Sequence, residues 1–186
     1  LKFLKSQEIM SEPFRDKLGQ LKKFYLPISK MINEEYSKRK RLQIIGLSGG
    51  QGSGKSTISN ILQIILKEGF NLDTVIFSID DFYKTFKERK LMSKKISPLF
   101  LTRGVPGTHD INMMLNFFRQ SKSNKFKRLK LPTFNKDIDD RFNKKKWYDL
   151  KKRPDVIIFE GWCVGAKSEK NNTLKKTINS MEKTQD

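Results

Sequence analysis

Residues 49–57 read Gly-Gly-Gln-Gly-Ser-Gly-Lys-Ser-Thr and form the most informative motif of the chain. It contains the pattern G-x-x-x-x-G-K-[ST], the P-loop, in which consecutive backbone N–H groups wrap the phosphates of a nucleotide and the lysine reaches the outer phosphates. The predicted phosphate-binding residues are Gly49, Gly50, Gln51, Gly52, Ser53, Gly54, Lys55, Ser56 and Thr57. The motif predicts a site for ATP, with the Ser56 hydroxyl as a ligand of Mg²⁺.

The segments on either side of the loop have the order that this motif requires. The run Leu-Gln-Ile-Ile-Gly-Leu at residues 42–47 is short and apolar, which is typical of a buried strand. Apolar residues then recur at helical spacing after the loop: Ile58, Ile61, Leu62, Ile65 and Leu66. Gly69 follows where a helix C-cap is expected. Strand, loop and helix therefore follow one another as they do around a functional phosphate-binding loop.

Two further apolar runs, at residues 74–79 and 155–159, predict strands that are buried on both faces of a parallel sheet. The first run is followed by Asp80 and Asp81, and the second by Glu160. Because ligands bind at the carboxyl ends of the strands in such sheets, we expect these carboxylates to lie beside the loop. The pattern predicts an α/β chain with the three-layer P-loop NTPase fold, in which helices cover both faces of a mostly parallel sheet.

The chain divides into an N-terminal helical segment, residues 1–41, that packs on the core, and a domain of residues 42–186 that carries the loop. The helical segment has one apolar stripe of Phe14, Leu18, Leu21 and Tyr25. Pro27 suits the first turn of a second short helix. The sequence begins with Leu1 and ends in a polar run, so we expect a fragment that is truncated at its C-terminus.

Between the second and third apolar runs lies a long insertion. It predicts a helix over residues 82–95, a loop over residues 102–110, a further helix after Asp110 and a short strand over residues 128–134. The loop contains two glycines and a proline beside Arg103 and His109, and a loop so constrained usually holds side chains for recognition. Arg103 can clamp a carboxylate, so both residues are candidate substrate contacts.

The charge balance is strongly basic, with 39 Lys and Arg against 20 Asp and Glu and a formal net charge of +19. The basic residues form scattered clusters at 38–41, 125–130 and 144–153, with few aromatics among them. This distribution favours solvated basic faces over a nucleic-acid surface, so we do not expect nucleic acid as a partner. An electropositive cleft would attract anionic substrates.

The remaining bulk properties indicate a cytoplasmic protein. A single cysteine excludes an intramolecular disulfide, and no apolar stretch approaches the length that crosses a bilayer. The first residues lack a signal-peptide pattern. We therefore expect no membrane partner and a small-molecule substrate, while the oligomeric state stays open.

The carboxylates at the strand ends suit phosphoryl transfer, which needs charge neutralisation, an aligned acceptor hydroxyl and a carboxylate to orient or deprotonate it. Lys55 supplies the first, and Asp80 is the candidate base. Asp81 either enters the site or caps the helix that follows. Glu160 precedes a glycine at a strand end, a position from which many such proteins contact Mg²⁺. The predicted metal ligands are Ser56, Asp80 and Glu160.

Six segments of the chain resemble the P-loop small-molecule kinases of the phosphoribulokinase, uridine kinase and pantothenate kinase group. They are residues 49–57, 78–83 (Ser-Ile-Asp-Asp-Phe-Tyr), 103–110 (Arg-Gly-Val-Pro-Gly-Thr-His-Asp), 131–136 (Leu-Pro-Thr-Phe-Asn-Lys), 139–141 (Asp-Asp-Arg) and 159–165 (Phe-Glu-Gly-Trp-Cys-Val-Gly). Within that group they are most similar to the D-glycerate 3-kinase family of plants, fungi and bacteria, whose members usually carry a further C-terminal part.

This resemblance implies ATP-dependent phosphorylation of D-glycerate to 3-phosphoglycerate. It implies that Asp80 activates the acceptor and that Glu160 lies near Mg²⁺. It further implies that four basic side chains face the acceptor or the transferred phosphate: Arg103, His109, Lys136 and Arg141.

Three alternatives to a glycerate kinase stay open. The chain could phosphorylate another small acceptor, such as a nucleoside or pantothenate. It could bind ATP without turnover as a regulatory protein, in which case nucleotide binding would be indifferent to Asp80. It could also be a nucleic-acid-dependent ATPase, whose activity would depend steeply on salt.

Overall fold

The computed structural model of the protein describes residues 16–175, 177 and 180–183. In chain order the strands are β1 (Gln43–Ser48), β2 (Thr74–Ser78), β3 (Leu129–Leu131), β4 (Phe134–Asn135), β5 (Asp140–Arg141), β6 (Tyr148–Leu150) and β7 (Val156–Gly161). The α-helices are α1 (Lys17–Gln20), α2 (Leu26–Arg39), α3 (Lys55–Phe70), α4 (Phe86–Lys95), α5 (Ile111–Lys122), α6 (Asn171–Leu174) and α7 (Ser180–Lys183). Tighter or wider turns occur at Leu21–Tyr25 (π-helical), Ile79–Phe82, Pro98–Leu101 and Lys144–Lys146 (all 3₁₀).

The central sheet is parallel and has the order β1-β7-β2. Gln43 and Thr74 both stand opposite Val156, and Ser78 stands opposite Glu160. The middle strand β7 comes last in the sequence, and every one of its residues is buried. The predicted parallel sheet of continuously apolar strands is therefore confirmed. Two antiparallel ribbons, β3 with β6 and β4 with β5, lie beside it.

Helices cover both faces of this sheet, as the sequence predicts for three layers. Successive side chains of a strand point to opposite faces, so Val156 and Ile158 face one layer while Ile157 and Phe159 face the other. The first layer contains buried residues of α2 and α3: Ile32, Ile61, Leu62, Ile65 and Leu66. The second layer contains Met114 and Phe117 of α5. The sheet therefore lies between two apolar clusters and contributes side chains to both.

The N-terminal segment is one continuous helical run instead of the two short helices that Pro27 suggested. The backbone stays helical from α1 through the π-helical turn into α2. Pro27 has no N–H to donate, and the N–H of Leu26 reaches back five residues to the carbonyl of Leu21. The widened turn absorbs the proline without breaking the helix.

The predicted apolar stripe of this segment meets the core only in part. Tyr25 is buried beside α3, and Leu21 packs against the same cluster. Leu18 is 58% exposed, and Phe14 lies outside the described residues. Packing of this segment therefore depends on its second half.

Three predicted boundaries differ from the structure for local reasons. The helix expected over residues 82–95 starts at Phe86, because Thr85 and Glu88 form a capping box there. The strand expected over residues 128–134 is interrupted after Leu131 by Pro132 and Thr133. The C-cap of helix α3 is Asn71, which adopts the left-handed conformation (φ 54°), and not Gly69.

Within the described part of the chain, no helix is both long and apolar enough to cross a membrane.

Candidate active site

A cleft of about 990 Å³ opens at the carboxyl ends of β1, β2 and β7. It is lined by the phosphate-binding loop (Gln51, Gly52, Lys55 and Ser56), by the strand ends (Ser78, Asp80 and Glu160) and by residues of the insertion (Tyr83, Arg103, Lys136 and Asp139). Most of the predicted site residues thus meet in one concavity, although they come from distant parts of the chain. Its volume suits a nucleotide together with a small acceptor.

The phosphate-binding loop, residues 49–57, owes its shape to two glycines in the left-handed region. Gly52 has φ 72° and Gly54 has φ 80°, conformations that other residues rarely adopt. Gly54 is also the N-cap of α3, so the loop runs directly into the positive end of that helix. The Lys55 ammonium donates to the Gly50 carbonyl at 2.6 Å, and the Ser53 hydroxyl donates to the same oxygen at 2.8 Å. The lysine is therefore held across the loop where phosphates would lie.

Glu160 forms an oxygen-rich group with two serines of α3. Its side chain is buried and accepts hydrogen bonds from the Ser56 hydroxyl at 2.8 Å and the Ser59 hydroxyl at 3.1 Å. Ser59, which the sequence did not single out, orients the carboxylate from one turn further along the helix. A buried carboxylate is costly without such partners.

The residues near Glu160 fit Mg²⁺ on the chemistry of their donors. Mg²⁺ prefers oxygen ligands and usually takes one or two carboxylates together with substrate phosphates and waters. The oxygens of Ser56, Glu160 and Asp80 all border the same cleft. No group of three or more His, Cys, Asp or Glu side chains that could hold a metal occurs among the described residues. Ser56, Glu160 and Asp80 could supply part of a coordination shell for Mg²⁺, with phosphates and waters supplying the rest.

The neighbours Asp80 and Asp81 point to different places. Asp80 lines the cleft, where one of its oxygens lies 2.8 Å from the ammonium of Lys136. Asp81 accepts hydrogen bonds from the N–H groups of Ser78 at 3.0 Å and Phe134 at 3.3 Å. Burial raises the pKa of Asp81 above its usual value, while these two hydrogen bonds oppose the shift. Asp81 thus ties β4 to the end of β2, and the cap of the 3₁₀ turn is Ser78.

Arg103 stands on the insertion side of the cleft between a carboxylate and a ring. Its Nε lies 2.8 Å from Oδ1 of Asp139, and its guanidinium lies 5.2 Å from the centre of the Phe134 ring. The side chain is only 30% exposed. A guanidinium held on two sides in this way presents its remaining donors to the cleft.

A buried arginine, Arg89, contacts the carboxylate oxygen of Asp139 that Arg103 leaves free. Its Nη2 lies 2.8 Å from Oδ2 of Asp139 and donates to the Asp139 carbonyl at 2.6 Å. Its other nitrogens donate to the carbonyls of Leu101 at 2.6 Å and Lys84 at 3.3 Å. Arg89 therefore joins α4, the loop before Arg103 and the segment after β4.

Sequence reasoning missed Arg89 and did not assign a role to Asp139. Asp139 belongs to the Asp-Asp-Arg segment that carries the family resemblance, so a signal was present. Arg89 lies in the basic run Lys-Glu-Arg-Lys, where nothing distinguishes it from solvated neighbours. Its burial is decided by contacts with distant backbone.

His109 and Arg141 both contact Tyr83, and neither is part of the cleft lining. The His109 ring stacks on Tyr83 with 4.1 Å between centroids, and its Nε2 has no hydrogen-bond partner within the described residues. Burial lowers the pKa of His109, and the charge of Asp80 opposes this shift. Arg141 donates twice to the Tyr83 carbonyl, at 3.0 and 2.7 Å, and lies 3.7 Å from Asp110.

Comparison with known proteins identifies relatives of the chain. The phosphoribulokinase / uridine kinase family model matches residues 44–174. The chain is 34% identical to an uncharacterized kinase, mug58, of Schizosaccharomyces pombe over 145 residues, which are 74% of this chain and 52% of that protein. It is 31% identical to the chloroplastic D-glycerate 3-kinase of Arabidopsis thaliana over 147 residues, which are 75% of this chain and 32% of that protein. The chain thus spans about a third to a half of the curated relatives it matches.

The fold is shared with solved kinases. The D-glycerate 3-kinase of Cryptococcus neoformans superposes with a TM-score of 0.71 at 24% identity, covering 81% of this chain and 56% of that one. At this identity the likeness establishes the three-layer fold of the P-loop kinases and nothing finer.

Proposed function

The chain belongs to the phosphoribulokinase/uridine kinase family of small-molecule kinases, and we propose that it transfers the γ-phosphoryl group of ATP to a small carboxylate-bearing acceptor. The acceptor in this proposal is D-glycerate and the product is 3-phosphoglycerate. The 31% identity to a plant D-glycerate 3-kinase supports this choice, as does the Arg-Gly-Val-Pro-Gly-Thr-His-Asp segment at residues 103–110. The proposal places the reaction in the cytoplasm, where ATP and small organic acids are both present.

The observation that carries the proposal is that one cleft is lined both by the phosphate-binding loop and by basic residues of the insertion. Lys55 and Ser56 belong to the loop, and Arg103 and Lys136 belong to the insertion. Asp80 lines the same space and pairs with Lys136. An anionic acceptor held by the two basic side chains would place its hydroxyl between Asp80 and the phosphates, which is the arrangement an in-line displacement requires.

In the proposed reaction the acceptor hydroxyl oxygen attacks the γ-phosphorus of ATP. A new P–O bond forms, the bond from that phosphorus to the oxygen shared with the β-phosphate breaks, and ADP leaves. The hydroxyl proton passes to a carboxylate oxygen of Asp80. Lys55 offsets negative charge on the phosphate oxygens. Ser56, Asp80 and Glu160 would hold Mg²⁺, which when bound neutralises phosphate charge.

The basic residues of the insertion are proposed to recognise the acceptor carboxylate. Arg103 is oriented by Asp139 and Phe134, so its free donors can grip a carboxylate with little loss of side-chain entropy. Lys136 is 66% exposed and can move from Asp80 to the acceptor, which would release the base as the substrate arrives. His109 and Arg141 remain predicted acceptor contacts. Both residues contact Tyr83, which lines the cleft, and these contacts support a role in holding Tyr83 in position.

The test is ADP production by the full-length protein with Mg·ATP and each of D-glycerate, L-glycerate, uridine and pantothenate. Lys55→Ala serves as the blank, because it removes the positive charge that would face the phosphates while the glycines of the loop stay in place. We expect turnover with D-glycerate well above the other acceptors. Turnover with a different acceptor would refute the glycerate assignment alone, whereas ATP binding without turnover on any acceptor would refute phosphoryl transfer to this panel.

A further inference from the structure

A second concavity lies at the amino end of the central sheet, opposite the cleft. Its volume is about 450 Å³. Leu42, which is buried, and Ile44, which is half-buried, supply apolar surface to it. The polar part of its lining consists of Gln43 and four further residues: Arg41, Lys122, Asn124 and Arg153. We call this space the basic cavity.

Three segments that are far apart in sequence bring positive charge to the basic cavity. Arg41 precedes β1, Lys122 is the last residue of α5, and Arg153 precedes β7. None of the three makes an ion pair within the described part of the chain, and no carboxylate contributes to the lining. Like charges that converge without a counterion repel one another, so their convergence favours an anion.

The nearest acidic side chains in sequence already have other partners. Asp155 accepts hydrogen bonds from the Tyr36 hydroxyl and from the N–H of Asp73 at 2.9 Å. Asp73 in turn pairs with Lys152. Within the described residues neither carboxylate forms an ion pair with Arg41, Lys122 or Arg153, and neither belongs to the lining of the basic cavity.

We propose that the basic cavity binds a small phosphorylated organic molecule. The three cations and the Asn124 amide suit a phosphate group, which takes charge-assisted hydrogen bonds from several donors at once. Leu42 and Ile44 suit the carbon skeleton that carries the phosphate. The volume falls within the range of ligand sites, about 300–1,000 Å³. This combination of a cavity, converging cations and apolar side chains distinguishes the site from single basic side chains elsewhere on a chain of net charge +19.

The site is separate from the phosphate-binding loop, although the two share a strand. Gln43 and Ile44 begin β1 at the basic cavity, and the loop follows the other end of the same strand. A ligand of the basic cavity would therefore bind together with ATP and not in place of it. The proposal does not depend on the acceptor used in the cleft.

The test measures binding of inorganic pyrophosphate and of phenyl phosphate by titration calorimetry in the full-length Lys55→Ala protein, which disables the phosphate site of the cleft. The salt concentration is about 0.15 M, which screens charges that lie further apart than the Debye length. Two exposed positions give variants that leave the core intact: Asn124→Asp puts a negative charge into the basic cavity, and Lys122→Gln removes a positive one. Asn116→Asp on α5 and Lys127→Gln are the matched controls, both exposed and outside the cavity.

We expect both probes to bind at one site, with affinity reduced about tenfold by Asn124→Asp and by Lys122→Gln and nearly unchanged by the controls. Equal losses in the controls would show that the chain responds only through its total charge and would overturn the proposal. Absence of binding in the Lys55→Ala protein would overturn it as well. Tighter binding of phenyl phosphate than of pyrophosphate, despite its lower charge, would support Leu42 and Ile44 as part of the site.

Discussion

Arg89→Met removes a guanidinium that has no exposed surface and keeps a side chain of similar length. The change deletes the ion pair with Asp139 and the hydrogen bonds to the carbonyls of Lys84, Leu101 and Asp139. Three segments of the insertion lose their common partner in a single substitution. We therefore expect the largest loss of stability among the substitutions that leave the central sheet untouched.

The expected loss in the free energy of unfolding is about 3–5 kcal/mol. Breaking a fully buried ion pair by removal of one partner costs about this amount, but this pair is buried only on the side of Arg89, because the Asp139 side chain is 39% exposed. Arg103 still pairs with Asp139 at 2.8 Å, so the carboxylate keeps one counterion. The free-energy loss from the broken ion pair therefore lies towards the lower end of this range. The three carbonyls that lose a donor keep the total at this level, because an acceptor that water cannot reach costs about 1–3 kcal/mol. A domain of this size has only about 5–15 kcal/mol in total.

Urea-induced unfolding, followed by far-ultraviolet circular dichroism, gives the free energy of each variant. Lys90→Met is the matched control, because Lys90 is the next residue of α4 and is exposed. We expect the control to change stability by less than about 0.5 kcal/mol. A difference between Arg89→Met and Lys90→Met below about 1 kcal/mol would refute the view that Arg89 holds the insertion together.

The remaining predictions concern Asp80, Asp81 and His109. Asp80→Asn should lower the rate of phosphoryl transfer about 100-fold or more, with ATP affinity nearly unchanged in a nucleotide titration; near-normal turnover would exclude Asp80 as the base. Asp81→Ala leaves the N–H groups of Ser78 and Phe134 unpaired and should cost about 2–3 kcal/mol in urea unfolding without loss of ATP affinity. Burial lowers the pKa of His109, so the unfolded chain binds its proton more readily and stability should fall as the pH drops below about 6.5. Unfolding measured against pH should show a smaller decline for His109→Gln, and an identical decline would assign this pH dependence to other groups.

Much of this site could be predicted because its determinants are local in sequence. The phosphate-binding loop needs its glycines and lysine at fixed spacing, and a strand that ends in a carboxylate presents it at the edge of a parallel sheet. The fold followed from the same features, since continuously apolar strands require a layer of helices on each face. Lys55, Asp80, Arg103, Lys136 and Glu160 all line one cleft in the structure.

Local backbone chemistry explains the boundaries that were predicted wrongly. Pro27 suggested a break between two helices, but a helix can widen by one residue and continue. The capping box at Thr85 and the left-handed Asn71 moved two helix ends by a few residues. Each alternative was compatible with the sequence, and small differences in hydrogen bonding decided between them.

The phosphate-binding loop, the parallel sheet and the carboxylates at the strand ends could all be identified from the linear sequence. Three groups of contacts became visible only in the folded protein: Lys136 pairs with Asp80, Arg89 is buried against Asp139, and His109 and Arg141 contact Tyr83. Glycine spacing and apolar runs act through the nearest few residues, so they can be recognised in a linear chain. Contacts such as that between Arg89 and Asp139 exist only once the insertion has folded back across the sheet, because burial and charge pairing depend on which distant segments meet.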